Sequence, residues 1–315
     1  MKALVYNGAH SVCYHEVKLP VSREQDVAVD VLQAGICGTD MCAVRDGRPV
    51  VEPLMTLGHE FVGRRQDTGE MVVGNPLLSC GQCRACKRGW SHLCAQRVVL
   101  GVHRPGAFTH TVLLPASRLV PMSGVTLEQA ALVDPVATAL HAFRLAPRPE
   151  GPVAVLGAGA IGLSMLFVLK SQGINDVTMT DIAQQRLDFA LAGGADVVAL
   201  RAEGSYDVVY DTVGSIVTRQ DAVLRSIPGG DTVLVGLHSS ELNVPAGPII
   251  GGERTIHGSF GYTDDEFREA AALVPSVSTQ WVHTVGFSDA EFAFKSLLAG
   301  RSDPRHVKVQ MRMDH

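Results

Sequence analysis

Cys80, Cys83, Cys86 and Cys94 crowd into one short stretch with the spacing C-x2-C-x2-C-x7-C. Four thiolates this close can complete a tetrahedron around Zn²⁺ and leave no position open, which makes such a site structural rather than catalytic. A loop closed on a metal needs little hydrophobic core of its own, so residues 78–96 read as a zinc lobe attached to a larger body. The competing use of the same residues is a redox-active Cys-x-x-Cys pair. All seven cysteines fall before residue 95. Met1 to Tyr6 enters a strand-like alternation with no apolar leader, so the expected compartment is the reducing cytoplasm, where cysteine clusters bind metal instead of pairing.

A second set of donors is dispersed. Cys37 lies in Gly35-Ile36-Cys37-Gly38-Thr39-Asp40, His59 and Glu60 in Gly58-His59-Glu60, and Asp134 in Val133-Asp134-Pro135. One thiolate, one imidazole and one carboxylate make three protein ligands with a fourth position free, the arrangement of a catalytic zinc. Asp134 has a second reading, because Asp before Pro135 also starts a helix, with the carboxylate as cap and proline in the first helical position. Thr39 likewise could close a hydroxyl-to-backbone turn. His103, His110, His141 and His238 stand alone and read as ordinary core or surface histidines. Arg45, Arg48 and Arg104 read as solvated or as lining the mouth of a site.

With 315 residues, two domains are expected, and a hydrophobic content of 46% allows both a core. A net charge of −5 offers no footprint for nucleic acid or an anionic membrane. The partner is therefore a small molecule. The first ~120 residues are short β-rich runs between Gly and Pro. From Pro149 onward, strands at Val153 to Leu156, Val177 to Thr180, Asp207 to Tyr210 and Thr232 to Val235 alternate with helices, which predicts a doubly wound parallel sheet. The uncharged run Val153 to Leu169 is broken by Gly157, Gly159 and Gly162, so it reads as strand, turn and buried helix rather than a membrane span.

Those glycines form G-x-G-x-x-G directly after a strand and at the opening of a helix. They permit a tight turn, close approach of backbone to a pyrophosphate, and close helix packing. Asp181 ends the next strand, where a carboxylate accepts the ribose hydroxyls of NAD and repels the 2′-phosphate of NADP. Ile182 and Ala183 offer that phosphate no cation, and Arg186 lies a helical turn further on. NAD is the expected cofactor.

Taken together, Gly35 to Asp40, Thr56 to Gly63, the four-cysteine lobe, Leu100 to Phe108 and the glycine fingerprint resemble the zinc-containing medium-chain alcohol dehydrogenases, nearest to the sorbitol, threonine, galactitol-phosphate and sugar-acid branch. The resemblance implies a Rossmann domain at 139–282 inserted into a discontinuous, β-rich GroES-like catalytic domain at 1–138 and 283–315. It implies about two zinc ions per chain, one catalytic and one structural. Cys37, His59 and Asp134 become ligands of the catalytic zinc, with Glu60 behind or beside it and able to exchange onto it. Asp40 would fix the imidazole of His59, Thr39 would take the substrate hydroxyl proton, and Thr138 and Ile161 would pack on the nicotinamide. The family commonly has a relay histidine where this chain has Cys42. The resemblance also implies a homodimer or homotetramer and a secondary alcohol of a polyol, sugar derivative or cyclitol as substrate. A simple aliphatic alcohol dehydrogenase, or a non-catalytic zinc- and NAD-binding regulatory module, would carry the same motifs. A zinc-free reductase would lack Cys37 and His59.

Overall fold

The computed structural model describes residues 1–8, 11–23, 25–47 and 50–314, so Arg48 lies outside the described residues. The chain divides into two compact units, Met1–Asp134 with Thr263–His315, and Pro135–Tyr262. The returning segment thus begins at Thr263 rather than 283. Helix Asp264–Leu273 belongs with the first unit because Asp264 pairs with Arg118 at 2.5 Å and accepts from Asn75 at 3.1 Å. Gln129 reinforces this by donating to Pro275 O at 2.8 Å.

The first unit is built on a seven-stranded sheet. Its order is Val282–Gly286, Lys308–Arg312, Asp26–Gly35, Glu60–Arg65, Met71–Gly74 and Leu119–Pro121, with Thr111–Pro115 paired to the other part of Asp26–Gly35. Val29 and Val31 point into a core with Phe61, Val72, Leu114 and Met311, while Asp30 between them is left at the surface side. That period of two is what a half-buried strand requires. Register then decides function, since Gly35 lies opposite Glu60 on one side and Gln310 on the other. The first and last parts of the chain therefore meet beside His59.

The second unit is a six-stranded parallel sheet ordered Val197–Ala199, Val177–Thr180, Val153–Leu156, Tyr206–Asp211, Ser226–Leu234, Thr255–Gly258. In chain order this is 3-2-1-4-5-6, the doubly wound dinucleotide-binding arrangement, whose ligand crevice opens beyond the carboxyl ends of the strands where the order reverses. Val153–Leu156 and Val177–Thr180 are buried along their whole length, as parallel strands covered on both faces must be. Helices Ala160–Ser171, Gln184–Ala192 and Ile216–Arg225 supply cover. Among the described residues, no helix is long and apolar enough to cross a membrane.

Candidate active site

Cys37 ends the turn after the central strand and stands at the N-terminus of helix Gly38–Asp46. Asp40, three positions on, turns back so that its Oδ2 accepts the Cys37 backbone N–H at 2.9 Å. Its Oδ1 accepts the Gly58 N–H at 3.2 Å and lies 3.6 Å from His59 Nδ1. One buried carboxylate thereby fixes both donor-bearing segments and leaves His59 Nε2 as the nitrogen available to a cation. Burial alone would lower the His59 pKa, but the Cys37 sulfur and the Asp40 carboxylate outweigh it and hold the imidazole proton well above its usual range. A bound dication has to displace that proton.

The segment Leu100–Phe108 clamps the same turn from outside. Gly106 donates to Thr56 O at 2.8 Å, Ala107 to Gly58 O at 2.9 Å and Phe108 to Leu57 O at 2.9 Å. Gly58 adopts φ +91°, and a Cβ there would overlap the Phe108 ring, so this position requires glycine twice over.

Donor atoms of Cys37, His59 and Glu60 lie within 4.8 Å of one another. Asp134 is not among those three; it occupies the first turn of helix Val133–Leu145 and bears electrostatically on Lys308. Asp134 and Thr138 are only half-buried while the residues between them are buried, so the two share one partly open stripe a turn apart. Thr39 is half-buried, and its hydroxyl makes no hydrogen bond among the described residues, which removes the turn-closing reading. The Cys42 sulfur lies 3.7 Å from Arg45; burial pushes this thiol up, with Arg45 pulling the other way.

In the lobe, the sulfurs of Cys83 and Cys86 and of Cys94 and Cys80 are 3.5 Å apart, with 3.9 Å from Cys83 to Cys94 and 4.0 Å from Cys80 to Cys86. A tetrahedral zinc with ordinary Zn–S bonds needs edges of about 3.8 Å. The four sulfurs fit it. Backbone N–H groups point at them, from Cys83 to Cys80 Sγ at 3.4 Å and from Gln96 to Cys94 Sγ at 3.3 Å. Such N–H groups lower the Cys83 thiol to about 6, favouring the thiolate a metal binds. Strands Leu77–Leu78 and Val98–Val99 close the lobe at its base.

In the second unit the three fingerprint glycines have three different reasons. Gly157 has φ +99° and faces Val213 and Thr212; Gly162 packs on the Gly157 carbonyl; Gly159 has nothing within 4 Å and is left open for a ligand. Gly159–Ile161 is the half-exposed edge of this turn, at the N-terminus of helix Ala160–Ser171, a ready anion site. Asp181 accepts from Ala158 N and Ala183 N, both at 2.9 Å. Arg186 Nη1 approaches Asp181 to 3.6 Å, nearer than its place in the sequence indicates.

Residues 23–124 match the family model of the alcohol dehydrogenase GroES-like domain, and residues 160–276 that of the zinc-binding dehydrogenase. The L-threonine 3-dehydrogenase of Streptomyces avermitilis is 33% identical over 339 residues, covering 96% of this chain and 97% of the relative. The chain belongs to the zinc-containing medium-chain alcohol dehydrogenases. This dehydrogenase is also similar to an alcohol dehydrogenase from Escherichia coli CFT073 complexed with NADH, at 26% identity and a TM-score of 0.90 over 99% of both chains. Galactitol-1-phosphate dehydrogenase from Escherichia coli matches with 26% identity and a TM-score of 0.90 over 99% of this chain and 100% of that one.

Sequence reasoning missed Lys308. It is 3% exposed, forms an ion pair with Glu60, and donates to Ile36 O at 2.9 Å. The one available signal was a lysine opening the closing strand Lys308–Arg312.

Proposed function

We propose that this dehydrogenase oxidises a secondary alcohol of a polyol, sugar derivative or cyclitol to the ketone, reversibly, with NAD as hydride acceptor. The convergence of Cys37, His59 and Glu60 within 4.8 Å carries the metal-assisted reading, and Asp134, a carboxylate where the simple alcohol enzymes usually place a cysteine, supports the polyol branch. The relatives named for threonine and for galactitol-1-phosphate support a polar hydroxyl substrate.

Cys37 and His59 would hold the catalytic zinc together with a carboxylate. Glu60 is the one brought within reach, and Asp134 is the second candidate. Bound zinc supplies a Lewis acid that makes the substrate hydroxyl more acidic, and NAD supplies the hydride acceptor. The chain's own residues do the rest. Asp40 keeps His59 oriented, and Thr39, whose hydroxyl is uncommitted, takes the substrate proton. Thr138 and Ile161 pack on the nicotinamide. Gly157, Gly159 and Gly162 let the backbone approach the pyrophosphate, and Asp181, with Arg186 beside it, receives the adenosine ribose. Cys42 is a protonated thiol at neutral pH, so the proton leaves Thr39 by another route. Cys80, Cys83, Cys86 and Cys94 would hold the structural zinc.

We place the enzyme in the cytoplasm as a homodimer or homotetramer. The outermost strand of the parallel sheet, Thr255–Gly258, ends that sheet on one side and is the edge a second copy would extend. Light scattering on the purified protein reads this directly. The activity is tested by screening polyols, sugar acids, sugar phosphates and aminocyclitols for NADH formation. A preference for simple aliphatic alcohols would transfer the assignment to that branch. No turnover on any alcohol by zinc-loaded protein would leave only a binding module.

A further inference from the structure

Lys308 has no role in the mechanism above, yet its ammonium sits in the wall of the metal site. It is 3% exposed, on the closing strand between the buried ends of the sheet. Lysine is almost never buried without a partner. Here the partner is Glu60, whose Oε2 it engages while also donating to the Ile36 carbonyl at 2.9 Å. Glu60 is the same carboxylate whose donor atom lies within 4.8 Å of those of Cys37 and His59. Two cations therefore compete for one carboxylate whenever the metal is bound.

Gly35 makes room for this pair. A Cβ there would overlap Glu60 Oε2 and come within 2.9 Å of Lys308 Cε. Gly35 lies opposite Glu60 in the antiparallel register, so the three residues are locked together by the sheet and not by side-chain preference.

We infer that Lys308 is a positioning residue: its ammonium draws Glu60 to the wall of the site, so that the carboxylate is a displaceable partner of the metal and one coordination position stays open to substrate. This rests on the catalytic-zinc reading of Cys37 and His59. The consequence has a definite sign. Removing the ammonium takes a positive charge away from a dication and leaves a buried carboxylate whose one remaining cation is the metal. Both effects tighten metal binding and raise the coordination number. A lysine that merely filled space or stiffened the strand would, on removal, loosen the metal.

The test uses the full-length protein with its metals. Lys308→Met should hold the catalytic metal more tightly, on the order of tenfold in chelator competition, the size of effect such outer partners have. It should also release that metal more slowly. In the cobalt-substituted enzyme its d–d absorption should weaken, the signature of a higher coordination number. Lys308→Arg should restore the wild-type affinity and spectrum. Glu60→Gln combined with Lys308→Met should abolish the gain, since the carboxylate that moved is gone. Gly35→Ala crowds the pair apart while keeping the lysine in the chain and should reproduce the Lys308→Met spectrum, which keeps the inference testable if Lys308→Met does not fold. Weaker metal binding in Lys308→Met, or a wild-type cobalt spectrum in Gly35→Ala, overturns it. Wild-type protein that takes up only the lobe zinc overturns the catalytic-site reading and this inference together. Two bound zinc ions with no response to these variants overturns the inference alone.

Discussion

Replacing Thr39 by valine removes one hydroxyl and keeps the shape. Thr39 is half-buried near the start of helix Gly38–Asp46 and makes no hydrogen bond among the described residues, so its loss leaves no partner unsatisfied. The stability change is therefore within about 0.5 kcal/mol, as for most substitutions that break no buried contact. Catalysis behaves differently. If Thr39 takes the substrate proton, the variant loses general-base catalysis, on the order of 100-fold in kcat or about 2.7 kcal/mol of barrier. The neighbouring thiol cannot compensate, because burial holds Cys42 above the usual cysteine range and keeps it protonated at neutral pH. Cys42→Ala should accordingly change little below the range where a thiol ionises. Cys42→His, which puts a group titrating near neutrality in that place, should shift the acidic limb of the kcat profile to lower pH. Steady-state kinetics over roughly pH 5.5 to 10 on the three variants, beside their thermal unfolding, separates chemistry from folding. A fully active Thr39→Val, or a large loss in Cys42→Ala at neutral pH, would refute the assignment.

The purified protein should contain about two zinc ions per chain, with Cys37→Ala and Cys83→Ala each removing a different one; elemental analysis showing one zinc, lost only in Cys83→Ala, removes the catalytic site. Replacing Asp181 by Ser together with Ile182 by Arg should weaken NAD⁺ use and admit NADP⁺, and a wild-type enzyme that already prefers NADP⁺ in initial-rate assays contradicts the role given to Asp181. Gly162→Ala drives a methyl into the Gly157 carbonyl and should lower stability by about 1–3 kcal/mol in denaturant titrations. Gly159→Ala meets nothing within 4 Å, so it should leave unfolding unchanged while raising the NADH dissociation constant; equal effects of the two on unfolding would refute the separation of roles.

Local signals carried most of the fold. Strands Val153–Leu156 and Val177–Thr180 occur where their patterns put them, because uninterrupted apolar runs followed by Gly or a helical period leave few alternatives. The four-cysteine lobe was equally legible, since its ligands are neighbours in sequence. What stayed hidden depends on register between distant segments. Nothing near Glu60 foretells that Lys308 will be its partner; only the pairing of Asp26–Gly35 with both Glu60–Arg65 and Lys308–Arg312 brings them together. Arg186 was placed away from Asp181 by counting helical turns, whereas a long side chain closes that gap. The return of the chain at Thr263 depended on single polar contacts at Asp264 and Gln129 that no periodicity reports.

The two candidate metal sites differ in when they can exist during synthesis. Everything the lobe needs, from Cys80 to the strand Val98–Val99 that closes it, is contiguous in the sequence and is translated long before Lys308. The other site has its Cys37, His59 and Glu60 even earlier, but the wall against which Glu60 rests is the strand Lys308–Arg312, more distant in the sequence than any part of the lobe. A nascent chain can thus acquire its lobe metal before the strand that forms the wall of the reactive centre has been made.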